Sequence, residues 1–116
     1  MGLFGSSDPV EKAFNKWQKL EVQYWEHCRV LEMKRLRLLQ KGLTLSDTFQ
    51  KLAGVSERNL YLHRESRDAE MAFHRACRES DTDSYDYEHA HPKFSSAIQK
   101  ATDEWRSFKD QCDEIE

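Results

Sequence analysis

Residues 45–64 read LSDTFQKLAGVSERNLYLHR, and the apolar register changes partway through them. Leu45, Phe49 and Leu52 share one helical stripe, whose continuation lands on Ser56, Asn59 and His63. The apolar positions that follow, Leu62, Ala69, Phe73 and Ala76, belong to a different stripe. One straight helix cannot bury both, so the pattern predicts a helix, a turn and a new helix. Ser46 is a candidate N-cap. Gly54 stands where the first helix would end, because glycine enters the left-handed C-cap conformation at little cost. Ser56 is a second candidate cap, flanked by Val55 and by Leu60 four residues on, the spacing of a hydrophobic staple.

The run Ala53-Gly54-Val55-Ser56, followed by Leu60-Tyr61 and His63, resembles the helix-turn-helix of the tetracycline-repressor family. It also resembles the homeodomain-like domain of phage terminase small subunits. Ser66-Arg67-Asp68-Ala69 extends the likeness, which spans residues 36–76. Gln50 departs from it, standing where the pattern prefers alanine at the helix crossing. The resemblance implies that the second helix enters the major groove of double-stranded DNA, first turn toward the base edges. Ser56, Glu57, Arg58, Asn59 and Tyr61 would lie there, Arg58 suited to guanine and Asn59 to adenine. Lys51, Arg64 and Arg67 would lie near phosphates, while Phe49, Val55, Leu60 and Leu62 would be core.

Upstream, Asp8-Pro9 opens a long helix, with Asp8 as cap and Pro9 at its first position. Val10, Phe14, Trp17, Tyr24, Cys28, Leu31 and Leu38 recur at steps of three and four, interrupted at Glu21 and Arg35. The helix is expected to end at Lys41-Gly42, with a bend or break allowed midway. Lys34, Arg35, Arg37 and Lys41 cluster near that end, either as a solvated face or as phosphate contacts beside the helix-turn-helix.

Downstream, the second helix of the motif runs to about residue 79. Residues 80–91 read as an acidic linker without core residues. From Pro92 a last helix carries Phe94, Ile98, Ala101, Trp105, Phe108, Cys112 and Ile115 on a four-three repeat. Phe94, Ile98, Trp105 and Phe108 are expected to pack against the first helix or against another copy of the chain. The organisation expected is a short N-terminal segment (1–7), a helical domain (8–79) with its motif at 45–67, a linker and a terminal helix (92–116). The fold class is all-α, with three or more helices.

The composition fits, with 34% charged residues and two prolines in 116 residues. The net charge is −3, yet residues 1–78 hold 14 Lys and Arg against 10 Asp and Glu, and residues 79–116 hold 4 against 11. Such asymmetry marks a basic binding part beside an acidic one. Three widely spaced cysteines, Cys28, Cys77 and Cys112, suggest reduced thiols in a cytoplasmic protein. No apolar run is long enough to span a membrane. Residues 1–7, MGLFGSS, fit the N-myristoylation pattern at Gly2 and Ser6 but lack the basic residues of a second anchoring signal. His74, Cys77, His89 and His91 could offer four ligands, but their spacing is no zinc signature, so no cofactor is expected. No Gly-rich phosphate loop and no nucleophile beside a base is visible, so an enzyme is not expected. Two readings remain: a DNA-binding regulator or packaging-type component, and a helical-bundle adaptor or inhibitor that binds a protein through its acidic last third.

Overall fold

The computed structural model describes residues 8–115. Five α-helices follow one another: α1 (Pro9–Gln40), α2 (Leu45–Lys51), α3 (Ala53–Glu79), α4 (Ser84–Ala90) and α5 (Ser95–Ile115), with a 3-10 turn at Pro92–Phe94 before the last. The described residues contain no strand. The all-α expectation therefore holds, whereas the Gly2 myristoylation pattern lies outside the described residues.

The long α1 is the spine, unbroken over 32 residues. Asp8 caps it, its carboxylate accepting from the backbone N–H of Val10 at 3.0 Å, and Pro9 takes the first position as expected. Its C-terminus closes in a Schellman turn. Leu43 N–H donates to Leu38 C=O at 3.3 Å and Gly42 N–H to Leu39 C=O at 3.0 Å, with Gly42 at φ 90°. There glycine is required.

α3 runs antiparallel to α1, pairing Phe73 with Trp17, His63 with Tyr24 and Asn59 with Cys28. α5 runs parallel to α1, pairing Trp105 with Trp25 and Cys112 with Glu32. Each packs along α1, and α3 and α5 scarcely touch each other. The result is a rod of 60 × 23 × 22 Å. Its radius of gyration, 17.8 Å, exceeds the roughly 13 Å of a globule of about this size.

One core cluster gathers Val10, Phe14, Trp17, Ala69, Phe73 and Cys77 at one end of the rod. A smaller one at the other end joins Leu36 and Leu39 to Cys112, with Phe108 against them. Phe73 is fully buried, between Trp17 (ring centroids 5.2 Å) and Phe14 (5.4 Å). Trp17 Nε1 is buried with no hydrogen-bond partner among the described residues, a cost of about 1–3 kcal/mol that the ring stack must offset.

Several expectations are corrected. The break between the motif helices falls at Leu52 (φ −100°, ψ 7°), so it is one residue wide and precedes Gly54. Gly54 and Ser56 lie inside the start of α3, and the α2 cap is Thr44, not Ser46. Thr44 Oγ1 accepts from Asp47 N–H at 3.1 Å, so the helix starts two residues earlier than a Ser46 cap would place it. Residues 80–91 are not a bare linker. Asp83 caps α4 (Asp86 N–H donates to it at 3.0 Å), and this short helix sets Tyr87 against Phe14, ring centroids 5.1 Å apart. α3 ends in a second Schellman turn, with Asp81 at φ 53°.

Candidate functional site

The most distinctive surface is built where α1 ends and α3 begins. Lys34, Arg37 and Lys41 stand three and four residues apart, so they share one exposed flank of α1. α2 closes over the end of that flank because Thr48 and Leu52 turn inward, 1% and 7% exposed. Thr48 can be buried because its hydroxyl donates to Thr44 C=O at 2.9 Å. Lys51, at the end of α2, thereby faces the α1 cations across an open groove of about 320 Å³. Leu38, Leu52 and Val55 form the groove's apolar lining, Lys34, Arg37, Lys41 and Lys51 supply its charge, and no carboxylate among the described residues lines it. No residue of the acidic α5 contributes to it.

Arg58 adds a fifth cation nearby. Burial lowers the pKa of His27, and the charges of Arg58 and Lys34 lower it further. Both cations thus act on one imidazole of α1, and Lys34 also lines the groove. The Arg58 guanidinium lies over the ring of exposed Tyr61, 5.1 Å from its centroid. The neighbouring Glu65 carboxylate raises the Tyr61 hydroxyl pKa, chiefly through their hydrogen bond.

The residues singled out for DNA divide into groups. Lys51 and Arg58 belong to this basic end. Tyr61 stands beside Arg58. Arg64 is exposed, and Arg67 is exposed and ion-paired with Glu70 at 3.2 Å. Both lie on the side of α3 away from α1, as their spacing from buried Leu62 and Ala69 requires. Ser56 is half-buried and lines a different groove, with Phe49 and Arg35. Asn59 turns toward α1, its amide nitrogen 3.3 Å from His27 Nδ1 and 3.1 Å from Cys28 Sγ.

Two expected core residues are not core: Phe49 is 64% and Leu60 60% exposed, so the Val55–Leu60 staple does not form. The reason is local. With α3 already started at Ala53, Leu60 falls almost opposite Leu62, the residue that packs inward. The expected interface residues pack within the chain: Phe94 joins the larger core, Phe108 the smaller one, and Trp105 meets Trp25 edge-on at 5.5 Å. Ile98 lines a cleft with Phe14 and Trp17.

Sequence reading flagged the cations of α1 but did not join them to Lys51. It also passed over Lys12, Lys16 and Lys19, which their spacing places along the same flank. Counting charges at steps of three and four would have found that row.

His27, Cys28 and Asn59 bring together the residue types of a thiol nucleophile, its base and an orienting amide. Burial raises the Cys28 thiol pKa, opposed by hydrogen bonds with Asn59 and Tyr24. A thiol held protonated is a poor nucleophile. Tyr24 is itself pushed up to about 12 by burial and the Cys28 contact. This network fixes the register of α3 on α1. The histidines weighed as ligands bond elsewhere: His89 and His91 place Nδ1 2.8 Å from Tyr85 C=O and Tyr87 C=O, and His74 pairs with Glu70 at 3.7 Å. No family model, curated protein or solved structure matches the chain.

Proposed function

We propose that this chain is a non-enzymatic nucleic-acid-binding protein that grips the phosphate backbone at the basic end of its helical rod. One observation carries the reading: cations from two consecutive helices converge on one groove that no carboxylate among the described residues lines. Phosphate contacts of this kind supply affinity and orientation without reading sequence. The reading keeps Lys51 and Arg58 from the helix-turn-helix expectation and adds Lys34, Arg37 and Lys41. It gives Asn59 no part in base recognition, because its amide is already engaged by α1. Four phosphate contacts predict an affinity that falls about 150-fold on a duplex, or about 50-fold on a single strand, between roughly 50 and 200 mM salt.

A second reading, an adaptor that binds a protein or another copy of the chain, draws on Phe49, Leu60 and Met71, each at least 60% exposed on the outer surface of α2 and α3. Fluorescence anisotropy with labelled oligonucleotides, duplex and single-stranded, tests between them. Wild type should bind at low salt, and the Lys34, Arg37, Lys41 and Lys51→Gln quadruple variant should lose most of the affinity and of the salt dependence. Absence of binding to every oligonucleotide at about 50 mM salt would leave the adaptor reading standing.

A further inference from the structure

The groove is not a bare patch of charge. Its cations surround Leu38, Leu52 and Val55. Outside that lining, Arg58, three residues along α3 from Val55 and acting with Lys34 on His27, stacks on Tyr61. A duplex offers such a site phosphates and base edges but no bare base face, because its bases are stacked inside and extruding one costs a few kcal/mol. An unpaired strand offers phosphates to the lysines and bare base faces to apolar and aromatic groups at once. Tyr61 is 49% exposed, and the guanidinium over its ring leaves the pair available to extend by one more planar group.

We infer that the strand held at the basic end is single-stranded nucleic acid, with phosphates on Lys34, Arg37, Lys41 and Lys51 and one base stacked on Tyr61. This rests on the nucleic-acid reading above and narrows it. DNA and RNA share the chemistry involved, and the test separates them.

The experiment uses the full chain and three labelled probes of equal length: oligothymidylate, oligouridylate and a mixed-sequence duplex, all at one low salt concentration. At least one single-stranded probe should bind about tenfold or more tighter than the duplex, and its identity names the source. Tyr61→Ala should weaken that binding about fivefold or more, the loss of one stacked base, and leave the duplex unchanged. Tyr61→Phe, which keeps the ring and removes the hydroxyl bonded to Glu65, should retain wild-type affinity. Circular dichroism should show the same helix content in all variants, since the Tyr61 side chain is outside both core clusters. Equal affinity for duplex and single strand, or no effect of Tyr61→Ala, overturns the inference but leaves the basic groove as a backbone site. Failure of all three probes to bind removes the nucleic-acid reading and this inference with it.

Discussion

Gly54 and Gly42 should respond to alanine with opposite signs. Gly54 lies in the first turn of α3 with ordinary helical backbone, and a Cβ added there meets nothing within 4 Å. Alanine should therefore stabilise the chain by about 0.5–1 kcal/mol, because it restricts the unfolded state more than glycine does. Gly42 also has open space around it but sits at φ +90°. A Cβ in left-handed backbone costs roughly 1–2 kcal/mol, so Gly42→Ala should destabilise by about that much. At about 4 °C per kcal/mol for a chain of this size, the variants should melt about 2–4 °C above and 4–8 °C below wild type. Thermal unfolding followed by circular dichroism at 222 nm, supported by urea midpoints with unchanged m-values, measures both. A Gly54→Ala variant destabilised by about 1 kcal/mol or more would falsify the placement of the helix break at Leu52. It would put left-handed backbone at residue 54, as the reading of Gly54 as a helix C-cap expected.

Other expectations follow from the same geometry. Asp81 occupies the left-handed position that closes α3, so Asp81→Gly should stabilise by about 0.5–1 kcal/mol in the same assay, and a loss would show that the aspartate side chain contributes more than its backbone strain costs. Phe73→Ala removes the most enclosed ring in the larger core and should cost about 3–5 kcal/mol by urea titration; a loss below about 1 kcal/mol would mean that the ring stack does not hold the bundle together. The folded-state pKa of His27 is lowered by burial, Arg58 and Lys34, so the unfolded chain takes up this proton first as pH falls. Its contribution is therefore present above the ordinary value of 6.5 and lost as pH drops below it. His27→Gln should flatten the stability profile from about pH 7 down to pH 5, and an unchanged slope would contradict the assigned environment.

The long helices were legible because several local signals agreed on each. For α1, the Asp8 cap, Pro9, the apolar stripe and Gly42 all marked the same element. The seam from Phe94 to Phe108 likewise predicted burial, and it packs along α1, with Phe94 against the larger core and Phe108 against the smaller one. The middle of the chain was harder. A seven-residue helix such as α2 can bury either of two faces, and apolarity alone favoured Phe49. The protein buries Thr48 instead, because its hydroxyl finds a backbone acceptor within its own turn. Gly54 misled for a related reason, since glycine permits positive φ without requiring it. α4 was hidden by acidic, turn-forming residues, although Asp83 is an ordinary cap. For the candidate site, local spacing revealed Lys34, Arg37 and Lys41. Their meeting with Lys51 depends on how α2 folds back at the turn after Lys41, which the spacing of charges within either helix does not encode.

That α3 and α5 both lean on α1 and hardly on each other has a consequence for how the protein is made. The spine leaves the ribosome before either of them, carrying apolar surface meant for two partners. At roughly 5–20 residues per second, the first partner follows only seconds later, and the second later still. During that interval Trp17, Trp25 and Leu36 have nothing to cover them. Newly made chain should therefore be a substrate for holding chaperones until α3 emerges, and the flank that α5 covers should remain one for longer, until α5 docks. Because α5 settles on a flank that α3 does not use, the hairpin of α1 and α3 can close without waiting for it.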